Sequence, residues 1–360
     1  MEHLAGIRRA LQILVLLGLF STAYFAKDML LPVLLGFLVA LTLSPVSRGL
    51  NRIGIPHAVS AILLIGATAL SVTLVVVFSA GTVASWANEA PAMGREIQRK
   101  LRGVVQTVET VREASEQVEK IGESATSRVQ EVVIKQPSLI DNAMDTVTNV
   151  GATIAVTLVL ALFLLASGDM FYVKLVKAIP TMSGKKRALS AVYDVERRVS
   201  RYLLTITLIN AGLGLAIGSY LTLLGLESGY IWGVAAFLLN FLPYVGGFVG
   251  TIMVGAYAIT AFDSLSFALL APLGYQVMTG IEGQLVTPYL VGRRLELNTV
   301  AVFLTVVFWG WLWGIAGALI AVPFLVVFKV VCENFEQLHT VGNFLSKSDD
   351  RADSARTTEA

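Results

Sequence analysis

Charged residues are scarce in this chain of 360 amino acids, since only 14% are Asp, Glu, Lys or Arg and 55% are hydrophobic. Soluble domains carry about 25% charged residues, so the sequence lacks the polar surface that a water-soluble protein needs. The formal net charge of +2 is too small to indicate a nucleic-acid partner. The low charge therefore predicts a protein whose partner is the lipid bilayer, and it argues against nucleic-acid binding.

Cysteine and histidine are almost absent. The single cysteine, Cys332, excludes an intrachain disulfide and a cysteine-cluster metal site, and the three histidines (His3, His57, His339) fall outside the apolar runs. The sequence also lacks the P-loop, HExxH, GxSxG and EF-hand patterns. We therefore predict no enzyme activity, no metal and no other cofactor.

Long apolar runs occupy most of the chain instead, and a helix needs about 20 apolar residues to cross a bilayer. The runs cover residues 10–26, 29–46, 58–82, 147–167, 202–225, 230–262, 264–281 and 299–331. They predict an all-α polytopic membrane protein with about six full spans and two broken re-entrant hairpins, the alternative being eight plain spans. Only Lys27 and Asp28 separate the first two runs, which predicts a tight helical hairpin there.

Two of the apolar runs are interrupted near their centres, by NFLPYVGG at residues 240–247 and by GWLWG at residues 310–314. Proline and paired glycines break helices, and lipid tolerates open backbone groups only where the chain packs against protein or lines a wet cavity. Each break is therefore the tip of a half-helix hairpin that contacts a polar solute, as in transporters, or a kink whose glycines allow close helix packing.

A second polar cluster lies in IEGQLVTPYLVGRRLELN, residues 281–298. Glu282 adjoins an apolar helix, and carboxylates at membrane depth are rare and mark ion or proton paths. The alternative is an interfacial glutamate paired with Arg293 or Arg294. The residues predicted to line a substrate or ion path are Asn240, Pro243, Tyr244, Gly246, Gly247, Gln276, Glu282 and Gln284.

Basic residues predict the orientation, because short cytoplasmic loops are rich in Lys and Arg. Basic groups cluster before the first run, after the second and after the fourth: Arg8, Arg9, Arg48, Arg52, Lys174, Lys177, Lys185, Lys186, Arg187, Arg197, Arg198 and Arg201. They predict cytoplasmic N- and C-termini. Arg293 and Arg294 also face the cytoplasm if the run 230–262 enters the membrane and returns to the same side. The residues predicted to gate or orient the path are Arg293, Arg294, Gly310 and Gly314.

Residues 86–146 differ in composition, because glutamates alternate with arginines and lysines, and small apolar residues recur at 4-3 spacing. This pattern predicts an extracytoplasmic amphipathic helical region that folds back on its own chain or contacts another subunit of a homo-oligomer. The predicted division is 1–85 as N-terminal membrane helices, 86–146 as this region, 147–201 as a span and basic cytoplasmic loop, 202–335 as a C-terminal core with broken helices, and 336–360 as a disordered cytoplasmic tail.

Two long stretches resemble a known family. NFLPYVGGFVGTI and EGQLVTPYLVGRRLELNTVAVFLTVVFWGWLWGIAGALIAVPFLVVFKVV are similar to the C-terminal signature of the autoinducer-2 exporter family of bacterial transporters. LLPVLLGFLVALTLSPV resembles that family's second span. The matching family positions are Pro243, Gly246, Gly247, Glu282, Gly283, Thr287, Pro288, Gly292, Arg293 and Pro323. The chain departs from the family at Gly247 and Thr299, where proline is common, and this leaves the substrate open.

The resemblance implies a secondary transporter of the bacterial inner membrane that exports a small polar solute, including an autoinducer-like signal, with Pro323 among the gating positions. One alternative is a sodium (or lithium)–proton antiporter, since the same family is linked to that exchange. The other is a membrane scaffold or sensor that binds partners through residues 86–146 and transports nothing.

Overall fold

The computed structural model describes residues 2–116, 139–168, 170, 182–242, 245–291, 297–334, 342 and 345. The helices are α1 (Glu2–Phe25), α2 (Lys27–Arg52), α3 (His57–Glu116), α4 (Leu139–Ser167), α5 (Met182–Leu223), α6 (Gly229–Leu239), α7 (Val245–Ala261), α8 (Leu265–Ala268), α9 (Leu270–Ile281), a π-helix (Glu282–Val286), α10 (Thr287–Val291) and α11 (Thr299–Asn334). Four predicted site residues, Pro243, Tyr244, Arg293 and Arg294, lie outside the described residues, as do 117–138 and most of the tail 336–360.

Within the part of the chain that the structure describes, four helical segments are long and apolar enough to cross a bilayer: Lys27–Arg52, His57–Trp86, Val192–Leu223 and Thr299–Cys332. Many apolar side chains on these segments face outward, such as Leu63, Phe78 and Leu215, which are 55%, 66% and 73% exposed. Water would penalise such surface by about 25 cal/mol per Å², whereas lipid does not. The fold is therefore that of a helical multi-pass membrane protein, as the composition predicts.

The junction between α1 and α2 differs from the prediction. A single residue, Ala26 (φ −88°, ψ 13°), separates the two helices, and the helical hydrogen bonds continue through it, from the Ala26 amide to the Thr22 carbonyl and from the Leu30 amide to the Ala26 carbonyl. The chain therefore bends at Ala26 without reversing, and the expected tight hairpin is wrong. The reason lies in packing, because α1 contacts α11: Phe20 lies 5.4 Å from Phe308 between ring centroids, and Trp313 donates a hydrogen bond to the Ala23 carbonyl.

Helix α3 is one continuous element of 60 residues, about 90 Å long at 1.5 Å per residue. It runs without interruption through position 86, where the sequence changes from apolar to charged. Its Lys100 ammonium group donates hydrogen bonds to the carbonyls of Ile259 and Phe262, at the end of α7. The two roles predicted for residues 86–146, folding back on the chain or contacting another subunit, stay predictions.

Glycines bring α5 and α6 into close contact. A Cβ atom on Gly214 would lie 2.6 Å from the Gly233 carbonyl oxygen, and one on Gly233 would lie 3.0 Å from the Gly218 Cα. The Gly214–Gly218 pair is a GxxxG motif, which permits such backbone approach. The motif therefore fixes α6 against α5, and this contact sets the position of the chain break that follows α6.

The first predicted break forms a helical hairpin. The Trp232 and Tyr257 rings lie 5.4 Å apart although 25 positions separate them, so α6 and α7 run antiparallel. At the turn, the Leu242 carbonyl accepts a hydrogen bond from the Gly246 amide at 2.8 Å. A Cβ atom on Gly246 would lie 1.8 Å from the Leu239 oxygen. Only glycine fits at this position.

The second predicted break folds α11 back on itself at Gly314, whose φ of 68° and ψ of −148° are incompatible with a helix. Trp309 and Phe324 lie 4.7 Å apart between ring centroids, whereas residues 15 apart in a straight helix are about 22 Å apart. A Cβ atom on Gly317 would lie 2.1 Å from the Trp309 oxygen, so the two halves touch through their backbones. The run 299–331 is thus a hairpin of two half-helices.

Candidate functional site

A pair of asparagines lies beside the first break. Asn240 ends α6, and its Nδ2 donates a hydrogen bond to Oδ1 of Asn210 in α5 at 2.8 Å. Asn210 is 1% exposed, and its own Nδ2 has no hydrogen-bond partner among the described residues. An unsatisfied buried donor costs about 1–3 kcal/mol, so this amide marks a place where a polar ligand would gain a contact.

Glu282 begins the π-helix that separates α9 from α10. Such one-turn π segments interrupt the i→i−4 ladder and occur at functional sites. The Glu282 carboxylate is half-buried and accepts a hydrogen bond from the hydroxyl of Thr287, one turn further on. The alternative partners proposed for it, Arg293 and Arg294, lie outside the part of the chain that the structure describes.

Glu282 lines a groove of about 650 Å³ between α5 and the segment formed by α9, the π-helix and α10. We call it the Glu282 groove. Its other walls are apolar or hydroxyl-bearing and include Thr205, Ile209 and Met278. Ile209 immediately precedes Asn210, so the asparagine pair and the Glu282 groove flank the same stretch of α5. A volume of a few hundred Å³ accommodates a small solute.

Two further predicted path residues, Gln276 and Gly247, lie in the contact between α7 and α9. Gln276 is exposed and accepts a hydrogen bond from the Thr251 hydroxyl at 2.8 Å. Gly247 faces Thr279, whose methyl carbon would lie 2.9 Å from an added Cβ atom. Gln284 is exposed on the π-helix. The Thr251–Gln276 hydrogen bond and the close approach of Gly247 to Thr279 thus join α7 to α9.

The predicted gating residues of α11 lie elsewhere. The turn at Gly314 is next to Trp313, whose indole contacts α1, and a Cβ atom on Gly310 would lie 3.6 Å from the side chain of Ala318 in the facing half-helix. Pro323 is buried in the second half of α11. The contacts described for this tip are therefore with α1 and with α11 itself, whereas the asparagine pair lies at the first break.

Asn210 is a candidate site residue that sequence reasoning missed. It is the only amide side chain in the run 202–225, which is otherwise apolar or hydroxyl-bearing. That isolation was a usable signal, because a buried amide in lipid needs a partner. The identity of that partner, Asn240, follows only from the glycine-mediated contact between α5 and α6.

A multi-pass helical fold with two helical hairpins, a buried amide at one break and a carboxylate in an adjacent groove is typical of a membrane transporter. The chain belongs to the AI-2E transporter family, because the family model described as "AI-2E family transporter" matches residues 13–337.

Several curated proteins are similar to it. "AI-2 transport protein TqsA" of Escherichia coli (strain K12) is 24% identical over 90% of this chain and 92% of its own length. "Putative transport protein YhhT" of the same organism is 23% identical over 91% of each chain. "Putative transport protein YrrI" of Bacillus subtilis (strain 168) is 28% identical over 52% of each chain.

Proposed function

We propose that this protein is a secondary transporter that exports a small polar solute across the bacterial inner membrane. The observation that carries the proposal is the amide of Asn210 at the break between α6 and α7, whose Nδ2 has no hydrogen-bond partner among the described residues. A polar group at that depth that lacks a protein partner is stabilised by a polar solute or by water. The similarity to a protein named for AI-2 transport makes an autoinducer-like signal the first solute to test.

The two hairpins are proposed to be re-entrant, entering the membrane from opposite sides: the 230–262 hairpin from outside and the 299–331 hairpin from the cytoplasm. The apolar parts of α11 on either side of Gly314, residues 299–313 and 315–331, contain 15 and 17 residues, fewer than the about 20 needed for a full crossing. Broken helices of this kind form the binding sites of many secondary transporters.

The arginine-rich ends of α2 and α5 are proposed to face the cytoplasm. Arg48 of α2 contacts Glu196 of α5 at 2.5 Å, so the basic residues after the second apolar run and before the fifth lie at the same end of the fold. The positive-inside rule assigns that end to the cytoplasm. Both chain termini are proposed to lie on this side as well.

Asn240→Ala tests the asparagine pair. We expect autoinducer-2 efflux from proteoliposomes to fall by about tenfold, because the variant loses the Asn240 amide that would contact the solute and leaves the Asn210 Oδ1 without its donor, and a lost hydrogen bond costs about 1 kcal/mol or more. Leu238→Ala, two positions earlier and 47% exposed, is the control and should retain its efflux rate. Equal rates for both variants would remove the pair from the path.

Glu282→Gln tests the antiporter alternative against solute export. The Glu282 groove favours the antiporter alternative, because it holds a carboxylate that can carry a proton. If the carboxylate carries the coupling proton, the variant should lose the pH dependence of transport while Thr287→Val, which removes only the hydrogen bond, keeps it. The measurement is solute flux and sodium- or lithium-driven proton flux in the same proteoliposomes between pH 6 and 8. An unchanged pH profile in Glu282→Gln would contradict a coupling role.

The scaffold alternative predicts no flux of any solute or ion by the purified protein. Flux in proteoliposomes that contain this chain alone would exclude it, since a scaffold needs a partner to act.

A further inference from the structure

Four arginines surround a second groove, between α2 and α5, with a volume of about 560 Å³. We call it the arginine groove; Arg48 and Arg52 come from α2, and Arg197 and Arg201 come from α5. It lies on the side towards which the turn of the α6–α7 hairpin points, since Asn240 at that turn contacts Asn210, about 14 Å along α5 from Arg201, and the transport proposal does not use it.

The charge in the arginine groove is unbalanced. Glu196 is the only acidic residue that lines it among the described residues, and both of its carboxylate oxygens accept hydrogen bonds from Arg48, at 2.7 and 2.5 Å. The guanidinium groups of Arg52, Arg197 and Arg201 therefore have no acidic partner in the lining. Three like charges around one space repel one another, and an anion between them relieves that repulsion.

The residue type specifies the anion. A guanidinium group presents donors in a planar fork that fits two oxygens of a phosphate. Arginines from two different helices can grip the same phosphate from both sides. Lysine clusters would attract any anion, but a groove whose basic residues are all arginines favours a phosphate or phosphodiester group.

The arginine groove continues into an apolar surface. Thr205 lines both this groove and the Glu282 groove, and the face of α5 between them carries Leu204 and Leu208, the latter 63% exposed. An anion held by the arginines therefore lies beside an exposed apolar face of α5, which fits an occupant with a charged head and an apolar chain.

The arginines also lie near the ends of candidate membrane spans, at the level of the lipid headgroups. Arg52 is the last residue of the candidate span Lys27–Arg52, and Arg197 and Arg201 fall in the first turns of the candidate span Val192–Leu223. Basic pockets between membrane helices at this level bind anionic headgroups. We propose that the arginine groove binds the phosphodiester headgroup of an anionic phospholipid, with one acyl chain along Leu204 and Leu208 of α5.

Native mass spectrometry of the full-length protein with phosphatidylglycerol tests the proposal. The double variant Arg197→Gln/Arg201→Gln is expected to bind the lipid about tenfold more weakly, because two charge-assisted contacts are lost. The matched control is Arg95→Gln/Arg102→Gln, which removes two exposed arginines from α3 and should bind like the unmodified protein. Equal loss in both double variants, or no loss in either, would overturn the proposal.

A second arm of the experiment uses only the unmodified protein, so it does not depend on how well the variants fold. Phosphatidylglycerol should bind at least tenfold more tightly than zwitterionic phosphatidylcholine with the same acyl chains, and water-soluble glycerol phosphate at millimolar concentration should not displace it. Equal binding of the two lipids would overturn the proposal. Displacement by glycerol phosphate would show that the groove is a site for a free phosphate compound, which would also overturn it.

Discussion

Gly246→Ala is expected to prevent the α6–α7 hairpin from closing and to destabilise the protein by more than about 3 kcal/mol. The added methyl group would lie 1.8 Å from the Leu239 carbonyl oxygen, and the obstacle is backbone, which has no alternative rotamer. The hairpin would open, and with it the hydrogen bond between Asn240 and Asn210 would be lost. We expect a large drop in the midpoint of thermal unfolding in detergent, together with loss of transport.

The matched control for this prediction is Gly280→Ala in α9. A Cβ atom at Gly280 meets no atom within 4 Å, and alanine is favoured over glycine inside a helix by about 0.5–1 kcal/mol. This variant should unfold at the same temperature as the unmodified protein or slightly above it. A Gly246→Ala variant that unfolds at the same temperature as Gly280→Ala and the unmodified protein would show that the turn tolerates a side chain and that the hairpin geometry is wrong.

Glu196→Ala is expected to cost about 2–4 kcal/mol, because it removes the acceptor that Arg48 contacts at 2.7 and 2.5 Å. Glu196 also accepts a hydrogen bond from Ser44 at 2.6 Å and is only 7% exposed. The loss should fall below that of a fully buried pair, since the Arg48 side chain is 41% exposed and water reaches it in part. The measurement is again the midpoint of thermal unfolding in detergent.

Two further variants separate the loss of the pair from the cost of an unpaired arginine. Replacing both partners, as Arg48→Met/Glu196→Met, should recover most of the stability, because well-packed apolar side chains often substitute for a buried ion pair. Glu96→Ala breaks the exposed pair with Arg99 on α3 and should cost less than about 1 kcal/mol. A double variant as unstable as Glu196→Ala would show that the pair itself, and not the orphaned charge, sets the stability.

The sequence predicts the helix breaks because proline and glycine act locally. NFLPYVGG and GWLWG interrupt apolar runs, and the structure ends α6 at Leu239 and reverses α11 at Gly314. The bend at Ala26 was not predictable in the same way. Two charged residues between apolar runs fit a hairpin as well as a bend, and contacts between α1 and α11, some 290 positions apart, decide between them.

The candidate site is predictable only in part for the same reason. Asn240 and Glu282 stand out by their polarity within apolar sequence, but Asn210 becomes important only when Gly214, Gly218 and Gly233 let α5 approach α6. The π-helix at Glu282 adds a residue to one turn. A fixed helical period assigns side chains to faces beyond that point incorrectly, so the faces of Glu282 and Gln284 relative to Gln276 required the structure.

The unbroken course of α3 makes it a lever. Its fulcrum is the aromatic stack in which the Trp86 ring lies 5.1 Å from Trp232 and 4.8 Å from Tyr257. Beyond that stack the helix extends for another 30 residues to Glu116, about 45 Å. A tilt of about 10° would move the far end by about 8 Å and the Lys100 anchor, about 21 Å out, by about 4 Å. A force applied at the far end of α3 would thus act on the first broken hairpin with a larger force over a smaller distance.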